Sequence, residues 1–149
     1  MPDKATLERA EEDRREGKAP STQAGEFVRE EIEHVREGKH GARSAKQAIA
    51  IGLSKARRAG VDLPPPKTGT KKTRDSARRA RAAGKSSTKK SPSAKRSRAT
   101  KNALRREGHS AASRKALSRQ ATSAARKRSA SSRSAAARKA ARTRARRSK

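Results

Sequence analysis

The sequence lacks cysteine, tryptophan and tyrosine, and Phe27 is its one phenylalanine. Without cysteine there is no disulfide framework, no thiolate metal site and no cysteine nucleophile. No apolar run approaches the roughly 20 residues that a membrane-spanning helix requires. Residues 1–18 are charged throughout and lack the apolar centre of a secretory signal. These absences favour a cytoplasmic protein without a membrane partner.

Large apolar side chains are also scarce. Only 13 of the 149 residues are Ile, Leu, Val, Phe or Met, and nine of them lie between Phe27 and Leu63. A chain with so few large apolar residues cannot fill one core of full length. The sequence therefore predicts that the protein is not an enzyme and binds no cofactor.

Acidic residues nearly disappear after the first quarter of the chain. Residues 1–40 carry a net charge of −3, and residues 41–149 carry +32, which gives the total of +29. Three consecutive prolines at 64–66 favour an extended linker. The expected domains are a polar segment at 1–21, in which residues 6–16 form a solvated or fraying helix, a helical hairpin module at 22–63, the linker, and a basic tail at 67–149.

The module has the pattern of two helices. Thr22 is the expected cap of a helix that runs to Glu37, and Ser44 with Gln47 has the spacing of a capping box for a second helix that ends at Gly60. Apolar residues recur on one face of each helix. The predicted fold class is mainly α, a short helical hairpin at about 22–60 followed by a long, largely disordered basic tail. The tail is rich in helix formers, so we expect it to become helical on binding a polyanion.

A strongly basic chain predicts nucleic acid as the partner, with DNA favoured over RNA because aromatic stacking residues are missing. The loop from Gly38 to Ser44, with two glycines and flanking cations before a helix N-terminus, is a candidate phosphate site. The residues that we assign to phosphate contact are Lys39, Arg43, Ser44, Lys46, Lys55, Arg57, Arg58, Arg78, Arg79, Arg105, Arg106, Arg126, Lys127, Arg128, Arg146 and Arg147.

Three other patterns each have a functional interpretation and a simpler alternative. Gln47 on the second helix could read a base edge, but backbone contact is favoured. Glu31 and His34 have the Glu-x-x-His spacing of helical metal sites, which normally need several helices, so no metal site is predicted. An acidic row on the first helix is either a solvated face or a docking surface for the chain's own basic tail or another basic protein; its members are Glu26, Glu30, Glu33 and Glu37.

Residues 46–60 read KQAIAIGLSKARRAG and follow Gly38-Lys-His-Gly. This stretch resembles a family of small basic bacterial proteins of unknown function. The tail is similar in composition to bacterial linker-histone-like proteins. The first resemblance implies a bacterial origin and brings no established activity.

The sequence thus predicts a non-enzymatic, histone-like protein that binds DNA through its phosphates and is associated with the nucleoid. The alternative is a protein-interaction module, in which the hairpin pairs with another protein or a second copy and the tail tethers it to ribosome or nucleoid.

Overall fold

The computed structural model describes residues 1–87 and 93–147, and at position 147 it describes the backbone alone. Within these ranges the chain forms seven α-helices and one short 3₁₀ helix at Ser110–Ala112, and no β-strand. The α-helices are α1 (Lys4–Arg15), α2 (Pro20–Arg36), α3 (Ala45–Ala59), α4 (Lys71–Lys85), α5 (Ala94–Arg105), α6 (Arg114–Arg126) and α7 (Ala130–Arg147). None of the described helices is both long enough and apolar enough to cross a membrane.

The expectation of a short hairpin followed by a disordered tail is wrong. Helices α4 to α7 cover most of the described residues beyond Pro66. Ala, Arg and Lys have high helix propensity, and the hydroxyls of Thr70 and Ser93 cap α4 and α5. Large apolar side chains are scarce in this region, but small ones such as Ala77 and Ala80 also pack helices together.

The chain divides into two compact units, Met1–Ser113 and Arg114–Lys149, here called the first unit and the second unit. The division does not fall at the three prolines, because α4 packs against α3 and extends the first unit beyond them. The second unit consists of α6 and α7, and no described side chain in it is fully buried.

Helix α1 packs against α2, although the sequence favoured a solvated helix. Thr6, Ala10 and Asp13 are buried, and their spacing of three and four residues places them on one helical face. Arg9 Nε donates a hydrogen bond of 2.6 Å to Glu26 Oε2 on α2. Small residues and an ion pair therefore attach a helix in which the sequence offered little apolar surface.

Helices α2 and α3 contain both predicted helices and pack closely together. Phe27 is 1% exposed and clusters with Ala24 and Ala56, with Leu53 packed beside them. Gly52 marks the close approach, since a Cβ there would lie only 2.6 Å from the Cα of residue 28 on α2. A glycine in the middle of α3 therefore permits the helix contact on which the core depends.

The predicted start of α2 is wrong by three residues. Ala19 is the N-cap and Pro20 occupies the first helical position, while Thr22 lies inside the first turn. Proline suits that position because its ring fixes a helical φ and the first helical N–H has no intrahelical partner.

The predicted ends of α3 are confirmed. Ser44 Oγ accepts a hydrogen bond from the Gln47 amide, and Gly60 has the left-handed φ of 107° that ends the helix. The Val61 amide then donates to the Ala56 carbonyl at 3.1 Å, the bond expected of a Schellman-type end.

Helix α4 packs on α3 through very small side chains. Ala77 and Ala80 are buried, and a Cβ on Gly84 would overlap the carbonyl oxygen of Arg57. The spacing of these residues, 77, 80 and 84, places them on one helical face. The face that α4 presents to α3 thus contains no large apolar residue.

The segment between α5 and α6 returns to the α2–α3 region. The Gly41 amide donates to the Leu104 carbonyl at 2.9 Å, and Arg36 Nε donates to the Ala112 carbonyl at 3.0 Å. Ala111 and Ala112 are buried, and the 3₁₀ helix that contains them contacts both α2 and α3. These contacts make the end of the first unit part of its core.

Candidate functional site

Most residues assigned to phosphate contact are exposed in the structure. In the first unit these are Lys39, Arg43, Ser44, Lys46, Arg58, Arg78, Arg79, Arg105 and Arg106; in the second they are Arg126, Lys127, Arg128 and Arg146. The side chain of Arg147 lies outside the described residues. The exposed set is spread over several helices of each unit and does not line one pocket.

Arg57 is turned inward and does not join this surface. It is 8% exposed, and its guanidinium donates to the carbonyl oxygens of Leu63 and Pro64, each at 3.1 Å. Burial lowers the pKa of Arg57. The side chain thereby ties the end of α3 to the start of the proline linker.

The loop between α2 and α3 differs from the predicted phosphate cradle. The Gly41 amide donates to the Leu104 carbonyl in the last turn of α5, and the Ala42 amide donates to the Gly108 carbonyl after that helix. The Arg43 amide donates to Gln47 Oε1 at 2.8 Å, and the Gln47 amide donates to Ser44 Oγ at 3.2 Å. Because these four amides are bonded within the chain, they are not available to an anion at this loop.

The second unit has the simplest electrostatics in the molecule. From Arg114 onward the sequence contains 14 Lys and Arg residues and no Asp or Glu. Arg138, Arg142 and Arg146 recur every four residues on one face of α7, and all three are exposed. Successive members of this row are separated by about 6 Å along the helix axis, given a rise of about 1.5 Å per residue.

The acidic row on α2 does not face one common partner. Glu26 pairs with Arg9 on α1, and Glu33 pairs with Arg29 one turn away. Glu37 Oε2 lies 3.0 Å from Lys39 Nζ, and this contact raises the pKa of Lys39. The remaining member, Glu30, belongs to a separate buried group.

That group joins six titratable side chains from different parts of the first unit. We call it the carboxylate–histidine cluster; its members are Asp3, Glu30, Glu31, His34, His40 and Lys55. The side chains of Glu30 and Glu31 are only 3% and 1% exposed. The interpretation of this part of α2 as a solvated face is therefore wrong, because α1, the following loop and α3 cover it.

Glu30 is fully partnered. It accepts a hydrogen bond of 3.0 Å from the Asp3 amide and one of 3.3 Å from Lys55 Nζ. Burial by itself would lower the pKa of Lys55, but the contacts with Glu31 and Glu30 outweigh it and raise that pKa. Lys55 was assigned to phosphate contact, and the structure instead directs its ammonium group into the cluster.

Glu31 is bound differently. Lys55 Nζ lies 2.7 Å from Oε2, and His40 Nε2 lies 3.3 Å from Oε1. Despite these short distances, neither buried oxygen receives a well-directed hydrogen bond. Its charge is partly balanced by Lys55, but its hydrogen-bonding capacity is unfilled.

The two histidines are oriented by their outer nitrogens. His40 Nδ1 lies 3.0 Å from the Gly41 carbonyl oxygen, and His34 Nε2 lies 3.3 Å from Asp3 Oδ2. The rings meet edge to face with centroids 6.2 Å apart. The remaining nitrogens, His40 Nε2 and His34 Nδ1, are the ones left for a ligand.

Sequence reasoning recognised the Glu31–His34 spacing but not the cluster. His40 comes from the loop after α2, and Asp3 comes from the residues before α1, so no regular spacing connects them. The one available signal was the Gly38-Lys-His-Gly motif. Its histidine, His40, lies against Glu31 in the structure.

Residues 21–68 match a family described as a "Family of unknown function (DUF6496)". Comparison with curated proteins and with solved structures gave no significant match. The matched range includes α3, most of α2 and five of the six cluster residues. This segment of the chain is thus similar to an uncharacterised family, in agreement with the resemblance, and the match assigns no activity to it.

Proposed function

We propose that the protein is a non-enzymatic, histone-like DNA-binding protein that contacts phosphates with little regard to sequence and associates with the nucleoid. The observation that carries this proposal is the second unit, where 14 cations occur with no acidic residue and no fully buried side chain among those described. A surface of this kind attracts polyanions.

The arginine row on α7 supports the proposal physically. Like charges spaced four residues apart destabilise a helix, by about 0.2–0.5 kcal/mol per pair. A phosphate backbone relieves this repulsion and releases its own condensed counterions. Binding is therefore favoured by the arrangement of Arg138, Arg142 and Arg146 as well as by their number.

We expect weak sequence preference because the protein offers few side chains that could read the edges of the bases. Gln47, the one candidate for base reading, uses its side-chain oxygen to accept from the Arg43 amide. With no Trp or Tyr, and with Phe27 buried, the chain has no aromatic platform for single-stranded bases. These features favour the backbone of duplex DNA.

The test compares two triple variants of the full chain over a salt series with duplex DNA. The first changes Arg138, Arg142 and Arg146 to Gln. The matched control changes Lys4, Arg14 and Arg15 to Gln, because these three cations already pair with acidic residues on α1. Each variant loses three positive charges, so net charge alone cannot distinguish them.

The slope of log K against log salt is negative, and we expect its magnitude to decrease by about 2.7 in the α7 variant. This value assumes the loss of three phosphate contacts at about 0.9 each. The α1 variant should change the slope little. Equal changes in both variants would show that overall charge, not the second unit, controls binding. Failure of the full chain to bind DNA near physiological salt would reject the proposal and favour the protein-interaction alternative.

A further inference from the structure

We propose that Glu31, His34 and His40 form a binding site for a divalent transition-metal ion such as Zn²⁺. Their ligand atoms lie within 4.8 Å of one another, and Glu31 is buried while both histidines are half-buried. The site is separate from the exposed cations to which DNA binding is assigned.

The spacing of the ligand atoms suits one ion. With Zn–N and Zn–O bonds of about 2.0–2.1 Å, two ligands of a tetrahedral site are separated by about 3.3–3.4 Å. His40 Nε2 and Glu31 Oε1 are 3.3 Å apart. A ring nitrogen of His34 lies within 4.8 Å of both ligand atoms.

The outer contacts of the rings match those of metal-binding histidines. Such residues normally use the second ring nitrogen to donate to a carbonyl or carboxylate oxygen. His40 Nδ1 faces the Gly41 carbonyl and His34 Nε2 faces the Asp3 carboxylate. His40 Nε2 consequently directs its lone pair at an anionic oxygen, an arrangement that requires a proton or a metal ion between the two.

Glu31 provides the second, independent observation. A buried carboxylate oxygen without a hydrogen bond is uncommon in folded proteins and requires an explanation. Glu31 is buried to this degree, and both its oxygens lack a well-directed donor. Lys55 neutralises the Oε2 side, which leaves Oε1 facing His40.

The charge of the cluster also favours a divalent cation. With neutral histidines, the three carboxylates and one ammonium of the cluster sum to −2. Lys55 is the one ammonium group of the cluster and is shared by Glu30 and Glu31, so the net negative charge is spread over the cluster. One divalent ion balances this charge.

The overlapping set of Asp3, Glu30 and His34 is the weaker candidate. Its atoms are equally close, but it has one imidazole and includes an exposed carboxylate. Two imidazoles and one carboxylate select Zn²⁺ or a similar ion over Mg²⁺, which prefers oxygen ligands.

The experiment titrates Zn²⁺ into the metal-free full chain by calorimetry, with Mg²⁺ as the hard-ion control. Co²⁺ is then added to wild type, and its visible absorption reports the coordination geometry. The variants are Glu31→Gln and His40→Gln, and the matched control is His109→Gln, which removes the exposed third histidine outside the cluster.

We expect wild type and His109→Gln to bind one Zn²⁺ with micromolar or tighter affinity, to ignore Mg²⁺, and to give a tetrahedral Co²⁺ spectrum. The two cluster variants should bind at least about tenfold more weakly, since even losing an outer-shell partner costs about 10–100-fold. Zn²⁺ should also raise the thermal midpoint of wild type.

Zn²⁺ affinity that is unchanged in His40→Gln, or lost in His109→Gln, overturns the proposal. So does an octahedral Co²⁺ spectrum with no saturable Zn²⁺ binding, which would identify the cluster as an ion-pair network. The wild-type titration and spectrum decide the question even if a cluster variant does not fold.

Discussion

Helices α4 and α7 have closely similar compositions and different surroundings. Each contains seven Lys and Arg residues among many alanines. In α4, Ala77 and Ala80 are buried against α3 and Gly84 contacts the end of that helix. In α7 no described side chain is fully buried.

The difference shows that the placement of small residues, not their number, determines whether a basic helix packs. The row of small residues that α4 packs against α3 ends at Gly84, where α3 presents the backbone carbonyl of Arg57. Helix α7 has no glycine, and arginines recur along one of its faces. The same composition therefore supports a structural helix in the first unit and an exposed cationic helix in the second.

The comparison is tested most strongly by removing one large side chain from each unit. Phe27→Ala in the first unit should cost about 3–5 kcal/mol of unfolding free energy, because it empties the centre of the core. Leu117→Ala in the second unit should cost about 1 kcal/mol or less, because Leu117 is only half-buried. Urea unfolding followed by far-ultraviolet circular dichroism measures both. Similar losses in the two variants would contradict the contrast between a packed and an exposed unit.

A second test removes one buried and one exposed lysine. Lys55→Met should cost about 3 kcal/mol, the lower end for a broken buried pair, because the Lys55 side chain is 25% exposed. Lys115→Met in α6 should change stability by less than about 0.5 kcal/mol.

The pH dependence of stability predicts how the difference between wild type and Lys55→Met should change. The pKa of Lys55 is raised above 10.5 in the folded protein, so its contribution is complete below that pH. It is lost as the pH rises through the higher folded value. Urea midpoints of wild type and Lys55→Met should accordingly converge only in strongly alkaline buffer, and a constant difference there would exclude the ion pair as the cause.

The smallest expected effect comes from adding the same side chain to each basic helix. Ala80→Lys places a long chain at the α3–α4 contact and should cost about 1–3 kcal/mol. Ala137→Lys on exposed α7 adds the same charge and should stay within about 0.5 kcal/mol. Thermal midpoints of the two variants provide the measurement, and equal shifts would mean that α4 does not depend on its small inner face.

Local signals were sufficient for part of the fold. Ser44, Gln47 and Gly60 each act within a few residues, so the ends of α3 could be predicted from spacing alone. The packing of α4 could not, because Ala77 and Ala80 look like any other alanines until the opposing α3 surface is known.

The candidate sites show the same limit. Exposed cations such as Arg58 and Arg79 follow from charge, but the inward directions of Lys55 and Arg57 depend on carboxylates and carbonyls brought together by tertiary contacts. The carboxylate–histidine cluster combines a helical Glu-x-x-His pair with His40 and Asp3, which no periodicity relates to it.

The bond from Arg36 to the Ala112 carbonyl joins residues 76 positions apart, and thereby makes the last part of the first unit depend on its earliest helices. Loop-closure entropy must be overcome before such a contact contributes, and long-range contacts slow folding. During synthesis, α1 to α3 can assemble while α4 and α5 are still emerging. The first unit should therefore complete its core only after the 3₁₀ helix has emerged, so its earliest helices wait for its last residues.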